Sequence, residues 1–521
     1  MVVEVEVEQI ELPVPETCYQ RYKARKLAKA KIAADRHLML ASDHIFKTLM
    51  ALSIPSIISM GLNAVYNVVD SIFLGNSSAE DLAAASLFMV IEFGVFTSLN
   101  VSLGAGASAV ISPALGKGDF LTANKALTYF FTLLIIVNAA IPAIFIPYLD
   151  PLLDFLGATS VTKARAKQYA LIMSAFPIGY GLTASMGPLL RVENKASLSM
   201  WRQVISSALN VIFDPILIFG FDLGTQGAAI STVASQLIVG VYMLWFYLFP
   251  EKSGATVKLA WNEAYGKGNM DWRMIGKMSV LGLGNLFSGM GRRIAGLLFN
   301  RTFKTMLDGS LVEVYQAIMG AMTQLSSLIG MPSAGIALGF IPLVGYNIGR
   351  NRYDRVQKAL VYSFLSMLVI GGSLVILVEI LARPISRAFG SDGDFLDLAP
   401  KYLRIGLCGV WLSAGTSLLM GYFQVRHNII VSMIMGLLQP VLSIIYASIL
   451  PYTSLGVAGA FWTPTAAFVT SFIIALPIMI VVLRQIDKKK HIPSFVIDGE
   501  SESGENSMKS PEAVEMREAR V

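Results

Sequence analysis

The chain has 521 residues, 54% of them hydrophobic and only 15% charged, with a mean hydropathy of +0.61. Soluble domains carry about 25% charged residues, so a soluble core-and-surface protein is excluded. The net charge of +6 points to anionic lipid at a membrane surface rather than to nucleic acid. Residues 1–43 read as a largely disordered N-terminal tail, acidic at first and then basic in "RYKARKLAKAKIAADRH". No cleavable signal precedes the first apolar run, which is expected to direct insertion itself.

About twelve runs long enough to cross a bilayer follow: 46–74, 82–113, 122–147, 168–189, 198–221, 226–249, 275–299, 312–347, 357–382, 400–422, 429–451 and 457–484. The expected fold is therefore an all-α membrane protein of twelve transmembrane helices. The first six occupy 44–250 and the last six 273–486, joined by a polar, basic linker at 251–272. Residues 487–521 are polar, poor in aromatics and expected to be disordered. With the N-terminus in the cytoplasm, most of the 41 lysines and arginines fall on the cytoplasmic side. The positive-inside rule then makes both termini cytoplasmic, and a multi-pass protein of the plasma membrane is expected. The glycosylation patterns at Asn76 and Asn300 fall in expected outside loops. Cys18 lies in the tail and Cys408 within a span, so no bridge joins them.

The chain is written twice. "GKGDFLTANKAL" (116–127) and "GRNRYDRVQKAL" (349–360) align at an offset of 233, which also pairs Gly157 with Gly390, Tyr169 with Tyr402 and Val192 with Val425. One residue shorter, "GTQGAA" (224–229) meets "GVAGAF" (456–461). Each half holds an even number of spans, so the repeats are parallel, related by an axis along the membrane normal. Two such pseudo-symmetric lobes can rock about a central cavity.

A charge within a span costs about 2.5–3.5 kcal/mol on insertion scales and faces protein or water. Asn63, Tyr66, Asn67 and Asp70 occupy i, i+3, i+4 and i+7 and make one polar stripe. Asp214 lies one turn after Asn210, and Pro215 disturbs the backbone ladder beside it. Asp70 and Asp214 are therefore candidates to hold a proton or Na⁺ inside the membrane. No GxxxxGK[ST] sequence supports an ATP-driven pump. The four histidines form no metal-ligand cluster, so neither an enzyme nor a cofactor is expected.

"YNVVDSIFLG", "NVIFDPILIFG", "QGAAISTVASQ" and "GFIPLVGYNIG" followed by "RNRYDRVQKAL" resemble segments of the multidrug and toxic compound extrusion (MATE) transporters, most of all the branch common in bacteria and archaea. The resemblance covers about 44–486. It implies two six-helix lobes around a V-shaped cavity and export of small organic substrates, driven by H⁺ or Na⁺. It also implies a cation site in the first lobe, whose motif positions fall on Asp70, Asn210, Asp214 and Thr232. Tyr66 and Asn67 are candidates for the substrate cavity, and the protein is expected to work as a monomer within lipid. The chain departs from the family at "ASMGPLLRVEN", at "ALGFIPLVGYN" and at "GMGRRIAGLLFN". The last has Arg292 and Arg293 where some members carry a carboxylate, which places the coupling ion in the first lobe.

Two readings of the arginine pair stand side by side. In one it snorkels to the outer interface or pairs with Glu92 or Glu379. In the other, one arginine faces the cavity and selects a carboxylate or phosphate. Alternatives to a gradient-driven exporter are a lipid-linked precursor flippase of the same superfamily and a passive facilitator or channel.

Overall fold

The computed structural model describes residue 40 and residues 42–266, 270–307, 310–389 and 393–490. The two expected disordered tails thus lie almost wholly outside the described residues, and so does Cys18. Among the described residues every regular element is helical.

Ten helices are long and apolar enough to cross a membrane: α1 (Ile45–Ser77), α2 (Glu80–Lys117), α3 (Phe120–Phe155), α5 (Ala196–Gly220), α6 (Gly224–Leu248), α8 (Leu311–Gly349), α9 (Tyr353–Arg387), α10 (Phe395–Val425), α11 (Ile429–Tyr452) and α12 (Val457–Lys489). Helix α4 is an eleventh, made of Ser160–Ala175 and Pro177–Val192 bent by 61°. Pro177 forces the bend, because it offers no N–H to the preceding turn. Helix α7 (Trp272–Met306) is long enough to be the twelfth, but Arg273, Lys277, Arg292, Arg293, Arg301 and Lys304 dilute its hydropathy. Asn76 and Asn300 belong to α1 and α7 rather than to loops, which corrects their expected position. Apolar runs end where hydropathy falls, whereas the helices continue beyond.

The duplication is imprinted on the backbone. Left-handed residues recur at the repeat offset, with Gly118 (φ 78°) matched by Asn351 (φ 56°), Asn194 (φ 57°) by His427 (φ 58°) and Gly224 (φ 51°) by Gly456 (φ 55°). A left-handed residue ends one helix and turns the chain into the next, so the same corners build both halves. The bend at Pro177 likewise matches the 3₁₀ turn Val410–Ser413 in α10.

The lobes meet most closely at the end holding the α2–α3 and α8–α9 corners. There a Cβ on Gly106 would overlap the Met278 carbonyl, and one on Gly282 that of Ser102. Gly116 and Gly349 sit equally close to the backbones of Tyr346 and Pro113. The Ser112 hydroxyl donates to Pro342 O at 3.0 Å, and His427 Nε2 to Ala109 O at 3.1 Å. Lys117, Arg273, Lys277 and His427 line a 280 Å³ cavity at this closed end, with Asp119 and Asp271. Asp119 caps α3 by accepting from Thr122 N at 3.0 Å. Burial pushes its carboxyl up, but the bonds from Thr122 and the charge of Lys117 outweigh this and hold it below the usual range.

The segment between the lobes is strapped to α3. Asn124 Oδ1 accepts from Lys258 N and Thr128 Oγ1 from Ala260 N, each at 2.9 Å. The buried Tyr129 hydroxyl donates to Ala264 O at 2.9 Å and accepts from Asp271 N at 3.0 Å. Asp271 in turn caps α7 through Met274 N at 2.9 Å. Tyr129→Phe orphans a carbonyl and an amide, a cost of about 1–3 kcal/mol. A lower melting midpoint in detergent is expected, and an unchanged one would mean the strap adds nothing to stability.

Candidate cation site in the first lobe

Three helices converge on two carboxylates. Asp70, on α1, is 4% exposed, and Asp214, on α5, is fully buried. The two carboxylates are near enough to act on each other's charge. Asn210 lies one turn before Asp214. With its amide oriented by the surrounding network, its nitrogen donates to Asp214 Oδ2 at 2.8 Å, while its oxygen accepts from Ser231 Oγ at 3.1 Å and Thr232 Oγ1 at 3.2 Å. Ser231 lies beside Asp214, and Tyr66, half-buried on α1, reaches Thr232. Asp70, Asn210, Asp214, Thr232 and Tyr66 are thus neighbours. Asn67 is half-buried one turn from Asp70, and its carbonyl accepts from Ser71 Oγ at 2.8 Å.

After Pro215 the α-helix widens into a π turn, Ile216–Gly220, instead of breaking. Such turns free backbone groups within a continuous helix. A second π turn, Glu92–Thr97, lies in α2, where Thr97 Oγ1 donates to Glu92 O at 3.0 Å and Ser98 Oγ to Phe93 O at 3.1 Å. This turn carries Glu92, a third buried acid. Its carboxylate accepts from the Tyr169 hydroxyl at 3.5 Å and lies within electrostatic reach of Asp70. No proline marks that turn in the sequence, and Ser231 had no signal at all, since a hydroxyl in a span costs too little to stand out.

The chemistry of the site follows from its donors. Two carboxylates this close cannot both ionise without a cation between them. Asp70 Oδ1 and Asp214 Oδ1 are buried and have no hydrogen-bond partner. The other donors are amide and hydroxyl oxygens, a hard set that suits Na⁺ or a shared proton. Among the described residues no three His, Cys, Asp or Glu side chains cluster as metal ligands do.

The second lobe lacks this site. At the repeat offset, Asp70 corresponds to Phe303 and Asp214 to Ala447, both buried in one hydrophobic cluster. Phe303 stacks near Phe461 at 5.6 Å, and Phe461 against Tyr402 at 4.3 Å. An aromatic ring and a methyl group stand where the first lobe holds its two acids.

Arg292 and Arg293 lie on an uncovered flank of α7. Glu379 pairs instead with Arg404, at 3.6 Å, which removes it as their partner. Arg293 lies within electrostatic reach of Glu92.

A model of the MatE family matches residues 55–216 and 302–449. Multidrug export protein MepA of Staphylococcus aureus (strain MSSA476) is 25% identical over 460 residues, covering 87% of this chain and 97% of that protein. MepA of Staphylococcus haemolyticus (strain JCSC1435) is 24% identical over 436 residues, 82% of this chain and 93% of that one. Among solved structures, an outward-facing multidrug-resistance MATE transporter of the MOP superfamily superposes with a TM-score of 0.77 at 22% identity, covering 87% of this chain and 98% of the other. A MOP superfamily transporter from Pyrococcus furiosus, described by the reverse polarity of its binding pocket, gives 0.79 at 22% identity over 86% and 98%. The structural matches concern the fold. The family match includes Asp70, Asn210 and Asp214 and leaves out Arg292 and Arg293.

Proposed function

Because the chain belongs to the MATE family, we propose that it is a secondary active multidrug exporter that antiports organic molecules against H⁺ or Na⁺. The observation carrying this reading is the buried Asp70–Asp214 pair, present in one lobe and replaced by aromatic and aliphatic side chains in its repeat. A cation entering from outside binds there, removes the repulsion between the carboxylates, and shifts α1 against α5. The lobes, 44–250 and 273–486, then rock about the linker at 251–272 and expose the cavity to alternate sides. Moving one charge through 100 mV contributes about 2.3 kcal/mol, enough to sustain a gradient of substrate. Both termini are cytoplasmic, the membrane is the plasma membrane, and the monomer is the working unit.

The test is dye efflux from proteoliposomes under an imposed ΔpH or ΔNa⁺. Efflux that follows one gradient alone is expected and identifies the ion. Efflux indifferent to both would favour a passive facilitator.

A further inference from the structure

We propose that Arg292 and Arg293 form an anion-recognising subsite on the flank of α7 that faces away from Phe287 and Ile294, so that exported molecules include amphiphiles carrying a carboxylate or phosphate beside an aromatic body. This deepens the exporter reading above and rests on it. Successive residues turn by about 100° around a helix, which divides α7 into faces. Phe287 and Ile294, 37% and 46% exposed, mark an apolar outer face suited to lipid. Asn285, Ser288 and Arg292 form a polar stripe on the other side, Arg292 standing about 200° from Ile294. On the stripe toward α2, Gly282 meets Ser102 and Gly289 meets Ser98. Arg293 continues it.

The geometry opposes simple snorkelling. Arg292 Nη1 donates to Ser288 Oγ at 2.7 Å, one turn back toward the middle of the span, whereas a snorkelling side chain would reach the other way. The Arg293 guanidinium lies 5.4 Å from the centre of the Phe93 ring, and its Cγ packs at Gly94, where a Cβ would come within 3.5 Å. Among the described residues no carboxylate lies within 4.0 Å of either arginine. Glu92, the acid acting on Arg293 from a distance, is turned into the first lobe toward Tyr169. Two neighbouring guanidinium groups within a span are costly unless water or an anion meets them. Planar, fork-shaped donors suit carboxylate and phosphate, and Phe93 beside them offers a ring face to an aromatic body. A Cβ on Gly296, one turn beyond Arg292, would meet no atom within 4 Å, so no side chain covers the helix there.

The test uses the full chain in proteoliposomes with two xanthene dyes of opposite charge, carboxyfluorescein and rhodamine 123. A third probe is fluorescent phosphatidylglycerol, with phosphatidylcholine as its neutral control. Arg292→Gln/Arg293→Gln should slow carboxyfluorescein efflux about tenfold or more, the loss expected for charge-assisted contacts, and leave rhodamine within about twofold. Arg292→Lys/Arg293→Lys should retain most anion efflux, which separates charge recognition from misfolding. Arginine-dependent movement of phosphatidylglycerol alone would uphold the subsite and place the anion on a lipid headgroup. Wild type that exports rhodamine but no anionic probe, or a Gln variant that slows every probe equally, would overturn the subsite while leaving the exporter reading standing. Failure of all probes to move would overturn both.

Discussion

Asparagine at Asp214 should abolish gradient-driven efflux and leave the protein at least as stable as wild type. The side chain keeps its size and its contacts with Asn210 and Ser231, but the site loses one of two facing carboxylates. Holding two acids together in a buried position costs stability unless a cation joins them, so removing one charge relieves the fold. Transport should fall by about 100-fold or more. Asp70→Asn should do the same, and the double variant should be no worse than either single, as expected of groups that act as a unit. Efflux under each gradient and the detergent melting midpoint together check this. A variant that loses activity because it melts early would return Asp214 to a packing role, and additive losses would mean that the two carboxylates bind separately.

Alanine at Gly106 should drive the protein away from the conformation closed at its α2–α3 and α8–α9 corners. The new methyl would collide with the backbone carbonyl of Met278, and no rotamer change relieves a clash with main chain. Overpacking of this kind costs about 1–3 kcal/mol, or roughly 5- to 150-fold in the balance between two conformations. The bonds from Ser112 to Pro342 and from His427 to Ala109 would lengthen with it. A cysteine replacing Ser112, in a background with Cys18 and Cys408 removed, should become labelled by a membrane-impermeant maleimide from the terminal side. Turnover should drop about tenfold. Unchanged labelling in the Gly106→Ala background would show that the lobes do not separate there.

Much of this was legible before any coordinates, for identifiable reasons. Asp70 and Asp214 stood out because an ionisable group in an apolar run is expensive. The offset of 233 survived because the corners at Gly118/Asn351 and Asn194/His427 constrain which residues can occupy them. The helix ends were less legible: hydropathy reports where lipid stops, while the hydrogen-bond ladder of α1 continues to Ser77. The π turn at Glu92–Thr97 had no marker because it depends on hydroxyls folding back onto carbonyls. The direction of Arg292 was equally hidden, since it depends on which flank of α7 the neighbouring helices cover. The linker read as merely polar, although its amides bond Asn124, Thr128 and Tyr129 on α3.

That strap would give a rocking lobe a lever. Asp271 is tied to Tyr129 in the first lobe and simultaneously caps α7 in the second, so the joint has little slack. Helix α7 has 35 residues and is therefore about 52 Å long. A tilt of about 10° at the pinned cap would sweep its far tip by about 9 Å and the level of Arg292 by about 5 Å. A rotation small enough to leave two hydrogen bonds intact at one end would thus become, at the other, an aperture the width of a small aromatic molecule.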